Sequence, residues 1–222
     1  MYLFTLLNSI SGGHFNPATS VALVIFRGFP PLKAIRYIIA QILGSYVACL
    51  LIHAQWYAMI KESELALASV NLLESTLFTS TGPAGAFAVY VLPRSSLARV
   101  FLNEFVTDTL LAIVRWGSLD PTSLIVPPSS APWVFAMALC AAIWGSSGIG
   151  LAINPARDLG GRLAAVTIYG KAAIGGKYAA IAALTAFPAT IFGVLLYEIF
   201  LADYARGESI QSLPSFFLLF FN

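Results

Sequence analysis

Charge is what this sequence has least of. Asp, Glu, Lys and Arg make up only 10% of 222 residues, against about 25% in soluble domains. That shortage excludes a mostly water-exposed surface. The net charge of +2 is too small to argue for nucleic acid as a partner. There are two Cys and two His, and they show no ligand spacing, so neither a metal site nor a cofactor is expected. Cys49 and Cys140 lie in apolar runs and read as buried small hydrophobes rather than a disulfide. No phosphate loop and no nucleophile–base pairing occurs, so nothing points to an enzyme. The opening Met1-Tyr2-Leu3-Phe4-Thr5-Leu6-Leu7 lacks a basic n-region and a cleavage site, so no signal peptide is expected.

What is present is apolar. Hydrophobic residues reach 59% and the mean hydropathy is +0.83. A very apolar soluble core is the alternative, but long uncharged runs favour an all-α polytopic membrane protein.

One tripeptide occurs twice, as Asn16-Pro17-Ala18 and Asn154-Pro155-Ala156. Each copy reads as a helix start. Asn is a strong N-cap, and Pro suits the first helical position because its missing N–H had no intrahelical partner. Average residue usage puts two chance copies at on the order of once in a thousand such chains.

Along the chain, residues 1–8 read as the tail of a helix, and Ser11-Gly12-Gly13 as a tight re-entrant turn. A half-helix is expected over 17–26, stopped by Arg27-Gly28-Phe29-Pro30-Pro31. Ten residues give about 15 Å, half of a roughly 30 Å hydrocarbon core. A full span follows at roughly 32–56, with Ala40, Gly44 and Ala48 as a small-residue packing face. Residues 57–96 read as a long extramembrane loop. Spans are expected at 97–119, 131–147 and 178–200, with a second half-helix at 155–166. Residues 201–222 read as a tail whose end, 214–221, lies at the membrane interface.

The two Asn are 154 − 16 = 138 residues apart. The second copy is preceded by two spans and followed by one, whereas the first is only followed by one. The chain's own symmetry therefore implies a first repeat (remnant 1–56) without its first span and most of its second, beside a second repeat at 97–200. Duplicated halves of three spans have opposite topology, and their discontinuous helices meet near the midplane. Non-helical backbone at that depth must be buried in protein or line a watery cavity. Two helix N-termini there carry partial positive charge. They would repel cations and admit neutral molecules. Asn16 and Asn154 would each cap a helix and offer an amide NH₂ to a passing hydroxyl.

The stretches Ser11-Gly12-Gly13-His14-Phe15-Asn16-Pro17-Ala18 and Ile153-Asn154-Pro155-Ala156-Arg157-Asp158-Leu159-Gly160 resemble the two signature loops of the aquaporin, or major intrinsic protein, family. Asp158 after Arg157, with Arg162 four residues on, resembles the aquaglyceroporin branch, and the loops are similar to fungal members. The resemblance implies an inverted-repeat channel with a filter built from Arg157, loop position Leu151 and span position Ala142. A fourth, aromatic filter position falls before Met1. Ala142, where water-selective members usually carry His, suits a polyol backbone. Arg157 would donate to two hydroxyls and oppose cations. The chain departs from the family at Gly161 and Leu184, where Pro is usual, and at Asp108 and Arg115, in a span that is usually small or apolar. Arg115 is expected to snorkel toward the nearer surface.

Glu104 reads either as a proton-relay acid or as a structural acceptor for the re-entrant loop, and the resemblance implies the second. His14 reads as a pH sensor or as a loop hydrogen-bonder. The implied function is a passive channel for glycerol, and water besides, in a homotetramer in the plasma membrane. The alternative is a non-conducting truncated member that co-assembles with longer channels. An ion-coupled transporter using Glu104 and Asp108 is a third reading.

Overall fold

The structure is a computed structural model that describes residues 12–92, 94–120, 123, 126, 127 and 129–202. The expectations for residues 1–11 and for the tail beyond 202 lie outside them. The described residues are helical, without a strand. In chain order the helices are α1 (Pro17–Arg27), α2 (Pro31–Gln55), α3 (Tyr57–Ser69), α4 (Leu73–Thr76), α5 (Leu97–Ser118), α6 (Ala131–Ser146), α7 (Pro155–Tyr169), α8 (Tyr178–Leu184) and α9 (Ala186–Phe200). Three stretches are long and apolar enough to cross a membrane: Pro31–Gln55, Ala131–Ile149 and Tyr178–Phe200. α5 has the length as well, but it carries Arg99, Glu104, Asp108 and Arg115.

Helix α1 starts at Pro17, with Asn16 as its extended N-cap. It ends at Gly28, whose φ of 64° is a left-handed C-cap that glycine adopts without strain. Its 11 residues make about 16 Å, too short to cross a bilayer. α7 begins the same way, with Pro155 first and Asn154 as cap. The last span is broken at Thr185 between α8 and α9. Pro188, with no N–H to give the carbonyl of Leu184, accounts for the break.

The expected loop at 57–96 is instead partly helical. α3 continues almost directly from α2 after one non-helical residue, Trp56. Lys, Glu, Ala and Leu dominate Tyr57–Ser69, and these are strong helix formers. Polarity there marks exposure rather than the absence of a helix. The remainder, from Pro83 to Tyr90, folds back over α7, where Ala84, Phe87, Ala88 and Tyr90 are buried with Ala165 and Ala173.

α2 packs along α7, and α9 packs along α5 and α1. Ala22 and Phe26 of α1 are buried against Trp116 of α5 and Val194 and Tyr197 of α9. The expected small-residue face of α2 does not make the close contact within the chain. Ala40, Gly44 and Ala48 are exposed, and a Cβ on Gly44 would meet nothing within 4 Å. The small residue lies on the partner instead. A Cβ on Gly160 of α7 would fall 2.5 Å from Ser45 Cβ and 2.6 Å from the Ile42 carbonyl oxygen. Gly193 lets α9 approach α5 in the same way, since a Cβ there would fall 2.5 Å from the Thr109 carbonyl. Spacing on one helix cannot show which of two partners supplies the small residue.

Gly160→Leu therefore forces α2 and α7 apart and costs about 1–3 kcal/mol or more. Gly44→Leu meets open space and raises helix propensity. Thermal unfolding in detergent should show a lower midpoint for the first and no loss for the second.

Candidate functional site

The two Asn-Pro-Ala copies meet at the N-terminal ends of α1 and α7. Asn16 Oδ1 accepts from the Ala18 N–H at 2.9 Å. Asn154 Oδ1 accepts from Ala156 at 3.0 Å and Arg157 at 3.3 Å. Each side chain then reaches across to the other motif. Asn16 Nδ2 donates to the Ile153 carbonyl at 3.0 Å, and Asn154 Nδ2 donates to the Phe15 carbonyl at 2.6 Å. The amides thus do not simply offer both hydrogens to the cavity. One hydrogen of each NH₂ joins the opposite loop, leaving one to face outward.

The acceptor residues share an unusual backbone. Phe15 has φ 55° and Ile153 has φ 59°. Left-handed φ is uncommon for any side chain and an outlier for a β-branched one. Each sits immediately before an Asn, where it turns the chain so that its carbonyl faces the other half.

α5 braces the second loop. Glu104 is fully buried. Its carboxylate accepts from Ala152 N–H at 2.9 Å and Ile153 N–H at 2.5 Å. Asn103 Nδ2 donates to the carbonyls of Ser146 at 3.0 Å and Gly150 at 3.2 Å. On the first loop, His14 is buried, with Nδ1 3.0 Å from Ser20 Oγ and its ring edge-on to Phe29.

Asp158 is fully buried and grips Arg162 through both oxygens, at 3.0 Å to Nε and 2.8 Å to Nη2. Arg162 also donates to the carbonyls of Val89 and Ile174, each at 2.9 Å. Sequence spacing shows the i, i+4 pair. It does not show that the pair ties the 83–92 segment to α7.

A cavity of about 470 Å³ runs past the junction, and Asn16, Asn154, Leu151 and Arg157 line it. Arg157 is exposed there, and its guanidinium carries no hydrogen bond to a described residue. Ala142 is half-buried and does not line the cavity, whereas Phe135, Leu139 and Ile143 of the same helix do. Its methyl is too short to reach where Leu139 and Ile143 form the wall. Pro17, Ala18, Pro155 and Ala156 are buried around the junction.

One charged residue is placed differently from the expectation. Arg115 does not snorkel to a surface. Its Nη2 donates to the His14 carbonyl at 3.0 Å, its guanidinium lies 4.7 Å from the Phe135 ring centre, and it lines the cavity with Asp108. The signal was available in the helix period. Residues 108 and 115 lie one and three turns beyond Glu104, on the face that Glu104 turns inward.

Fold and site together define a helical membrane protein in which two half-helices are capped into one another beside a cavity. Comparison with known proteins agrees. The major intrinsic protein family model matches residues 1–193. Aquaporin-3 of Laccaria bicolor is 54% identical over 197 residues, 88% of this chain and 60% of that relative. A further aquaporin of the same fungus is 48% identical over 209 residues, 94% of this chain and 68% of the relative. Among solved structures, the aquaglyceroporin from Plasmodium falciparum superposes with a TM-score of 0.73 at 22% identity, covering 90% of this chain and 78% of that one. That likeness shows the fold. The chain belongs to the major intrinsic protein family and is an integral membrane protein. It spans about 60% of the length of the first relatives.

Replacing Glu104 by Leu leaves two buried N–H groups without acceptors, at about 1–3 kcal/mol each. Hydrogen exchange at Ala152 and Ile153 should rise sharply in Glu104→Leu and much less in Glu104→Gln, which keeps an acceptor.

Proposed function

We propose that this chain forms a passive channel for small neutral solutes, glycerol first and water besides. One observation carries the reading: Asn16 and Asn154 cap two helix N-termini that face one cavity, and Arg157 stands exposed in its wall. Helix N-termini place partial positive charge at that point, and a guanidinium adds a full one. Both disfavour cations. The remaining Asn N–H groups and Arg157 are donors for hydroxyl oxygens, while Leu151 and Leu139 give the carbon backbone an apolar wall. Relatives named aquaporins and, at 33% identity, an aquaglyceroporin of Botryotinia fuckeliana support the same reading.

In this channel Asn16, Asn154 and Arg157 contact the solute and Leu151 shapes the passage, while Ala142 lies off the cavity wall that Leu139 and Ile143 form. Pro17, Ala18, Pro155 and Ala156 start the half-helices. Glu104, His14 and Asp158 hold the loops. A homotetramer in the plasma membrane is the assembly this reading implies. The alternative, a non-conducting partner of longer channels, gains no support from the comparisons.

Stopped-flow light scattering on vesicles containing the protein should show glycerol permeability well above that of empty vesicles. Asn154→Ala removes a cap worth about 1 kcal/mol together with the link to Phe15. Glycerol permeability should fall about tenfold, the equivalent of 1.4 kcal/mol. Arg157→Ala should lower it too. Polyol flux that persists in the double variant refutes the proposal.

A further inference from the structure

Arg115 carries a charge that the channel reading leaves unused. Its guanidinium donates through Nη2 to the His14 carbonyl at 3.0 Å and lies 4.7 Å from the Phe135 ring centre. Both partners hold the group in place, and neither neutralises it. Among the described residues no carboxylate pairs with it; the ion pairs there belong to Arg27, Lys61 and Arg162. Keeping an uncompensated charge between helices is costly. Arg115 is nonetheless only half-buried, and it lines the cavity.

Helix α5 shows where along the cavity this charge stands. Near the start of α5, Glu104 holds the N–H groups of Ala152 and Ile153, and Val100 packs with Ala152 and Tyr178. Near its end, Arg115 holds the loop before Asn16, and Trp116 packs against Ala22 and Phe26 of α1. The two braces are 115 − 104 = 11 residues apart, about 16 Å of helix. The start of α5 therefore serves the second motif and its end serves the first. Arg157, the third residue of α7, belongs to the second. The crossed amides of Asn16 and Asn154 join the two sides, and one cavity touches both arginines and both Asn. Against two guanidinium groups, the one carboxyl that lines the cavity among the described residues is Asp108, whose Oδ2 is buried.

We propose that Arg115 is a second cation barrier, set on the other side of the paired caps from Arg157, so that the conduit rejects cations at two levels. The proposal rests on the channel reading above and adds a specificity-determining residue to it. A cation that passes Arg157 meets the Arg115 charge within the same low-dielectric walls, which focus its field. Neutral solutes meet only one more hydrogen-bond donor.

Urea and guanidinium test this, because they share a planar shape and differ in charge. Vesicle swelling gives the guanidinium-to-urea permeability ratio for the parent, for Arg157→Ala, and for Arg157→Ala combined with Arg115→Met or with Arg115→Lys. The Met double variant should show a ratio about tenfold above that of Arg157→Ala, the low end of what a charge-lined cleft does to local ion concentration. The Lys double variant keeps the charge and should match Arg157→Ala. Should the Met double variant pass no urea, Arg115→Gln replaces it, with an N–H donor for the His14 carbonyl. A ratio equal in Arg157→Ala and the neutral double variant overturns the barrier and leaves the channel standing. So does a Lys variant that leaks like the Met one, and so does urea flux lost in both neutral variants, which assigns Arg115 to bracing alone. A parent that passes no more urea than empty vesicles overturns the channel reading and the barrier with it.

Discussion

Everything else in this structure depends on a pair of crossed hydrogen bonds. Asn16 reaches the carbonyl before Asn154, and Asn154 reaches the carbonyl before Asn16. Each amide is also the cap of its own helix, so one side chain fixes both the start of a helix and the distance to the other half. Caps alone would leave α1 and α7 free to slide. Cross-links alone would leave their first N–H groups without acceptors. The combination requires the carbonyls of Phe15 and Ile153 to turn outward from their loops, which is why both adopt left-handed φ. Such strain persists only where the surroundings over-determine it. For Ile153 the surroundings are named: its N–H is held by Glu104 and its carbonyl by Asn16.

Bracing of this kind explains how irregular backbone survives between apolar helices. The loop before Asn154 uses Asn103 and Glu104 on its carbonyls and N–H groups, so an entire turn of α5 serves it. The loop before Asn16 uses Ser20 on the His14 ring and Arg115 on the His14 carbonyl. At the far end of α1, Arg27 lies 5.2 Å over the Trp116 ring and 3.6 Å from Glu198, and Glu198 also accepts from the Trp116 indole at 2.7 Å. α5 therefore contacts both re-entrant elements, one through each end, and α9 closes the far side against it.

Local codes were readable in the sequence, and long-range ones were not. Asn-Pro-Ala announces a helix start through cap and ring chemistry within three residues, and both helices begin there. The apolar spans announce themselves by length. The helix at 57–69 escapes because its polar residues read as loop, although their propensities favour helix. The packing face of α2 is misread because Ala40, Gly44 and Ala48 are small, whereas the tight spot is set by Gly160 on the partner. The cross-bonds between Asn16 and Ile153 join residues 137 apart, and no local pattern encodes them. Asp108 and Arg115 stand out as charges in an apolar span. Their inward direction follows only when Glu104 is used to set the phase of the helix.

That phase also governs the electrostatics of the cavity. Two helix N-termini contribute roughly half a positive charge each. Of the carboxyls nearby, Asp158 is cancelled by a bidentate Arg162 at 2.8–3.0 Å, and Glu104 is occupied by backbone N–H groups. Neither has charge to spare for a solute. Arg157 on α7 is exposed at the cavity, and Asp108 and Arg115 on α5 line it, with Asp108 Oδ2 and Arg115 Nε themselves buried. α6 contributes the apolar Phe135, Leu139 and Ile143 beside them, with the Arg115 guanidinium 4.7 Å from the Phe135 ring centre. The lining of this cavity therefore mixes polar groups with hydrocarbon. Such a lining suits a neutral molecule that carries both hydroxyls and carbon. A bare ion gains nothing from the apolar side chains and loses hydration that the polar ones do not fully replace.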